Sequence, residues 1–306
     1  MSYNRKISSP RAQMGLFLFL LGAAWLIANL FAGALLVAKG LVSPGVHTLN
    51  FSDPQMAGTI KFMQAVSTLI MFGGPAWLYS RITFRTGSLH FLGFRRAERN
   101  SFYILGIALL LLAFPLEGWL GQINHHIPLP GWMIGAEKDA EKQISALLRT
   151  NSVSDLFINI FIIAILPAVC EEACFRGALQ RILIQGFKSP WAGIILSAAL
   201  FSAFHLQFQG FLPRMFLGIL LGALYWYSGS LWTSILAHFF TNGIQVVAVT
   251  FYPRFIHEDP SVPLYAALIS MAIVVGLLSV LRRQSSASYA RVYEEGQADG
   301  YKESLD

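Results

Sequence analysis

The chain has 306 residues, of which 55% are hydrophobic and only 12% charged, and its mean hydropathy is +0.55. A soluble domain carries about 25% charged residues, so the composition excludes a water-soluble fold and reads as an integral membrane protein. The net charge of +6 lies beside apolar runs, a mark of membrane topology that argues against nucleic-acid binding.

Residues 1–13 are polar, with Arg5, Lys6 and Arg11, and Met14–Ala38 then runs without a charge. A bilayer needs about 20 apolar residues, and this run is too long for a signal-peptide core. It reads as a retained first span. A polar loop with Pro44, Asn50, Asp53 and Pro54 leads to a second span, Ala57–Tyr79, with Lys61 near enough to the outer end to snorkel. The next connection holds Arg81, Arg85, Arg95, Arg96 and Arg99, the densest basic cluster in the chain. By the positive-inside rule this loop and the N-terminus are cytoplasmic.

The third span covers Phe102–Leu120, with Pro115 and Glu117 near its outer end. The segment Gly121–Asn151 mixes apolar residues with Glu137, Lys138, Asp139, Glu141 and Lys142, which predicts an amphipathic helix lying on the outer surface, with a solvated loop as the alternative. Span four runs inward from Asp155 toward Arg181 and Lys188. Span five, Trp191–Leu206, follows a helix start at Ser189-Pro190. Span six, Met215–Tyr227, contains Gly218 and Gly222, a small-xxx-small pair that admits a close neighbour. Spans seven, Leu231–Thr250, and eight, Val262–Leu281, complete the set, and Arg282-Arg283 closes it.

The expectation is therefore an all-α polytopic membrane helical bundle of about eight transmembrane helices, in a bacterial cell (inner) membrane, with both termini cytoplasmic. Residues 1–150 form an N-terminal region of three spans and an outer amphipathic segment, 151–283 a core with the last span, and 284–306 a flexible cytoplasmic tail.

The chemistry concentrates in Cys170-Glu171-Glu172-Ala173-Cys174-Phe175-Arg176-Gly177. A mid-helix Asp, Lys or Arg costs roughly 2.5–3.5 kcal/mol on translocon scales, so three ionisable groups within six positions need partners. Glu172 and Arg176 are four apart and can pair on one face, whereas Glu171, about 100° away, faces elsewhere. This makes Glu172 and Arg176 a structural clamp and Glu171 the working carboxylate. Cys170 and Cys174, one helical turn apart, read as packing residues and not as a bridge.

Further polar groups sit on apolar spans: His205 on span five, and His238 and Asn242, four apart on one face, on span seven. Hydrolysis of an amide requires a water, a base for its proton, and donors for the developing oxyanion. Glu171 fits the base, His205 the orienting group, and His238 with Asn242 the donors; alternatively the imidazoles join the carboxylate on a metal. The HExxH helix of zincins is absent.

In this order and on hydrophobic spans, Glu171-Glu172-x-x-x-Arg176, Phe201-x-x-x-His205 and His238-x-x-x-Asn242 resemble the CPBP family, the CAAX prenyl proteases and bacteriocin-processing enzymes also called the Abi family. The resemblance covers about Asp155–Thr250. It implies an intramembrane endopeptidase with Glu171 as general base, a water held by Glu171 and His205, an oxyanion pocket at His238 and Asn242, and structural support from Glu172 and Arg176. If a metal is bound, its ligands would be Glu171, His205 and His238, with zinc the candidate; the resemblance leaves a zinc enzyme and a metal-independent glutamate protease both open.

The expected partners are the lipid bilayer and a peptide or membrane-protein substrate, membrane-associated or lipid-modified. It would be cleaved near the cytoplasmic leaflet, since Glu171 falls in the inner half of span four. Prenylation is a eukaryotic modification, and peptide maturation or bacteriocin immunity fits as well as a CAAX substrate. The competing class is a non-catalytic membrane scaffold or immunity protein, whose effect would survive changes at Glu171 and His205. A transporter fits less well, because neither paired broken helices nor an inverted repeat is present. Among the other polar residues, His125 and His126 read as a solvated pair, His47, His90 and His257 as loop residues, Phe201 as packing beside the site, and Arg214 as a cation reaching for a headgroup.

Overall fold

The computed structural model describes residues 5–41, 54–85, 87–150, 152–256 and 261–295. Pro44, His47, Asn50, Asp53, Asn151, His257, Glu258, Asp259 and the tail from Gly296 lie outside these. Among the described residues no strand forms, and the one β-contact is an isolated bridge between Arg5 and Phe84.

Helix α1, Pro10–Ala38, starts where the Ser9 hydroxyl accepts from the Ala12 N–H and Pro10 takes the first turn. Helix α2, Pro54–Thr68, passes through a π-helical turn, Leu69–Gly73, into α3, Gly74–Thr83. The short α4, Ser88–Leu92, leads to α5, Ser101–Leu112, and α6, Phe114–His125. Then follow α7, Gly131–Leu148, and the long α8, Val153–Phe187. Helices α9, Pro190–Ala203, α10, Phe211–Ser228, α11, Leu231–Phe251, and α12, Leu264–Gln284, complete the bundle.

Five of these, α1, α8, α10, α11 and α12, are long and apolar enough to cross a membrane, and α5 with α6 makes a sixth that is bent by 40°. Helix α9 is apolar but shorter, and α2 with α3 occupies the second expected position. Helices thus stand at each of the eight expected span positions. Side chains such as Leu18, Trp25, Ile104, Leu268 and Ile269 are exposed on the outside, as a lipid-facing surface requires.

The bend between α5 and α6 follows from Pro115, which has no N–H for the helical ladder. Ser270 of α12 fills the break. Its hydroxyl donates to the Leu112 carbonyl at 2.6 Å and accepts from the Leu116 N–H at 3.4 Å, standing between two groups that would otherwise bond each other.

Helix α8 is the central post. Every residue from 170 to 184 is buried, which places its polar groups among protein and not lipid. Gly218 and Gly222 let α10 pack closely where α8 and α9 meet, Gly218 against α9 and Gly222 against both, as the small-xxx-small spacing predicts. A Cβ on Gly218 would lie 2.9 Å from the Ala198 Cβ, and one on Gly222 2.6 Å from the Gln180 side-chain oxygen. The close approach lets α8 use the glycine carbonyls one turn apart. Arg176 Nη2 donates to Gly218 O at 3.2 Å, and Gln180 Nε2 to Gly222 O at 3.0 Å.

The first residues of the tail depart from the expectation of a flexible segment. Ser285 Oγ donates to the Tyr227 carbonyl at 2.6 Å, and Tyr293 is buried, stacked on Trp226 at 6.5 Å beside the Arg181 guanidinium at 6.0 Å. The aromatic residue recruits the segment because a buried arginine offers its ring a cation.

Candidate active site

The helix that carries the acidic pair is itself irregular. Within α8, π-helical turns occupy Ile160–Ile165 and Ala173–Gln180, on either side of Glu171 and Glu172. Such turns concentrate at functional sites because they re-aim side chains and free backbone groups. Pro167 adds to the effect, since it cannot bond the carbonyl four residues back, that of Ile163. Asn242 of α11 takes that carbonyl, with Nδ2 donating at 3.1 Å.

Glu171 and Glu172 diverge as their spacing requires. Glu172, fully buried, accepts from Arg176 Nη1 at 2.8 Å, and the guanidinium lies 4.5 Å from the Phe201 ring. The same Glu172 oxygen meets His238 Nδ1 at 3.0 Å. A carboxylate accepts, so Nδ1 carries the hydrogen and Nε2 is left as the free nitrogen of the neutral ring. That Nε2 lies 4.0 Å from Oε2 of Glu171. His238 therefore stands between the two carboxylates, bonded to Glu172 and adjacent to Glu171, an arrangement that spacing along the sequence does not reveal.

His205 follows the end of α9, where Leu206 (φ +53°) takes the left-handed conformation and turns the chain. Its Nδ1 donates to the Phe201 carbonyl at 2.9 Å, so here too Nε2 is the free nitrogen. Phe201 stands edge-on to His205 at 4.9 Å and to His238 at 6.2 Å. It is the plate on which both imidazoles and Arg176 are set, a larger part than packing alone.

Glu171, His205, His238 and Asn242 line one cavity of about 570 Å³. Glu172 and Arg176 stand behind it. Among the described residues no three His, Cys, Asp or Glu side chains are gathered closely enough to hold a metal ion. The set of Glu171, His205 and His238 considered for zinc shares the cavity without forming such a cluster. Cys170 and Cys174 are free and buried in the packing.

Two charged residues join the cavity that sequence reasoning did not count in the site. Arg214 lines it, held by Nη2 to the Gln207 side-chain oxygen at 2.6 Å and Nη1 to the Gln207 carbonyl at 3.3 Å, and does not reach for a headgroup. Glu117 of α6 lines it as well, and one of its oxygens is buried without a hydrogen-bond partner. The signal was present, since each is an ionisable group inside an apolar helix.

Helix α7 also corrects its expectation. It forms a helix, but Gln143, Ile144 and Leu147 line the cavity and Glu137 accepts from the Gln209 N–H at 2.9 Å. It covers the site.

Residues 153–244 match the family model Rce1-like, type II CAAX prenyl endopeptidase Rce1-like. The match agrees with the CPBP resemblance drawn from the three motifs, and all seven motif residues fall inside the Rce1-like segment. That family is one of CAAX-type intramembrane endopeptidases, and the apolar helices make the chain an integral membrane protein. Comparison with curated proteins and with solved structures finds no match.

Proposed function

We propose that the chain is an endopeptidase that hydrolyses a peptide bond of a membrane-associated or lipid-modified polypeptide inside the bundle. The observation that carries the reading is the convergence of Glu171, His205, His238 and Asn242, from α8, the turn after α9, and α11, on one buried cavity. An acid, two imidazoles and an amide lining a single chamber are the parts that amide hydrolysis needs.

In this reading Glu171 takes a proton from a water as the water oxygen attacks the scissile carbonyl. His205, with Nδ1 tied to the Phe201 carbonyl, holds the water through Nε2. The remaining hydrogen of the Asn242 amide donates to the oxyanion, as does Nε2 of His238 when the ring carries a second proton. Collapse of the tetrahedral intermediate breaks the C–N bond, and Glu171 returns its proton to the leaving amine. Glu172 and Arg176 act by holding His238 in one orientation and keep their charges balanced away from lipid.

The test is to incubate purified chain in lipid vesicles with a library of membrane-anchored peptides and to identify new termini by mass spectrometry. The parent yields products and Glu171→Ala yields none while unfolding at a similar temperature. Products of equal amount from both would overturn the reading, and a biological effect that survives Glu171→Ala would favour a scaffold.

A further inference from the structure

The cavity belongs to one half of the bundle. Gln64 precedes the π turn between α2 and α3, Glu117 follows the bend into α6, and Gln143 is on α7. His205 stands past the end of α9, Arg214 in the first turn of α10, and Asn242 in the second half of α11. Contacts tie these ends together. Asn124 Nδ2 at the end of α6 donates to the Phe208 carbonyl at 2.7 Å, and Lys61 of α2 reaches the Arg149 carbonyl at 2.9 Å and Asp155 at 3.5 Å.

The basic loops are gathered at the opposite end. Arg95 Nε donates to the Gly229 carbonyl at 2.7 Å, the Leu231 N–H donates to the Gly93 carbonyl at 2.7 Å, and the Ser286 N–H donates to Glu98 at 3.2 Å. These bonds bring the turn between α10 and α11 and the end of α12 to the loop bearing Arg85, Arg95, Arg96 and Arg99. Lys188 and Arg282-Arg283 fall on the same end by helix direction. Exposed aromatic residues mark both rims: Trp77, Trp191 and Trp232 at the basic end, and Trp132, Tyr252 and Tyr265 at the cavity end. The connections at the cavity end hold fewer cations, Lys39, Lys138, Lys142, Arg149 and Arg254, and these are interspersed with Glu137, Asp139, Glu141 and Asp155.

The bias of Lys and Arg in short loops sets which end stays in the cytoplasm, and here it selects the end remote from the cavity. We infer that the cavity is served from the non-cytoplasmic side of the membrane, and that its substrate is an exported polypeptide segment and not a cytoplasmic C-terminus. The expectation of cleavage near the cytoplasmic leaflet is thereby reversed. Glu171 lies mid-way along α8, and the residues that open the way to it come from the other end. The substrate class rests on the proteolytic reading, whereas the sidedness does not.

The test labels one introduced cysteine at a time with a membrane-impermeant maleimide in spheroplasts expressing the full chain. Gln143→Cys stands on α7 at the cavity, and Asn100→Cys stands exposed in the basic loop and keeps every positive charge. The parent, whose two cysteines are buried, is the background. Labelling of Gln143→Cys in intact spheroplasts, with Asn100→Cys labelled only after permeabilisation, is the expected result. The reverse pattern overturns the inference. Repeating both in a Glu171→Ala chain gives the same labelling if sidedness stands apart from catalysis, so a failed protease reading and a failed orientation are distinguished.

Discussion

Asn242 donates its side-chain amide to the carbonyl of Ile163, the one carbonyl that Pro167 further along α8 is unable to bond. A residue read from the sequence as an oxyanion donor thus also fastens α11 to the irregular stretch of α8 just before Glu171. The two roles differ in size. Interhelical hydrogen bonds in membrane bundles average about 0.6 kcal/mol, whereas loss of an oxyanion donor costs about 10²–10³ in kcat. Asn242→Ala is expected to lower unfolding stability by about 1 kcal/mol or less and cleavage by at least about 100-fold. Matched losses of only a few-fold in both would leave Asn242 as a fastener alone.

The Glu172–Arg176 pair predicts a non-additive series. Removing one partner of a buried pair costs about 3–5 kcal/mol, because the other charge is stranded. Arg176→Met should be destabilised by that order, and Glu172→Gln combined with Arg176→Met should recover part of it. Activity should not return in the double variant, since His238 Nδ1 loses the carboxylate that orients it. Denaturation in detergent, read beside cleavage, separates the two effects.

Two glycines of helical segments should respond with opposite sign. Gly222→Ala places a Cβ 2.6 Å from the Gln180 oxygen and 3.0 Å from Ile194, and overpacking of this kind costs about 1–3 kcal/mol. Gly186, inside α8, has nothing within 4 Å of its Cβ position, so Gly186→Ala should stabilise by about 0.5–1 kcal/mol. Thermal unfolding of the two variants checks the pair.

The docked start of the tail gives a pH prediction. Burial pushes the Tyr293 phenol up to about 12, with the nearby Arg181 opposing the shift. A phenol that is harder to ionise when docked contributes its full stability below about pH 10. That contribution fades as pH climbs from 10 toward 12. Anisotropy of a dye at Ser288→Cys should fall over that window, and Tyr293→Phe should remove the dependence while keeping the ring on Trp226.

Much of the site was legible because helical periodicity is local. The four-residue spacings of Glu172 with Arg176 and of His238 with Asn242, and the order of the three motifs, identify residues that do meet. The bond from His238 to Glu172, which sets the ring beside Glu171, was not legible, since a separation of 66 residues carries no periodic signal. The same holds for α7. Its amphipathic pattern gave the helix, but the pattern reads the same whether the apolar face meets lipid or roofs a chamber. Arg214 was misassigned, and Glu117 was left out of the site, for a related reason. A charge near a helix end is read as facing water, and only packing of the neighbouring helices turns it inward.

The central claim is that Glu171 activates the attacking water, and the steady-state kinetics of Glu171→Gln on a vesicle-bound peptide substrate test it most directly. A positioned general base contributes about 10²–10⁴-fold. The account predicts a fall of that size in kcat with KM within a few-fold of the parent, in a protein that unfolds at an unchanged or higher temperature. A variant that turns over at the parent's rate would contradict it.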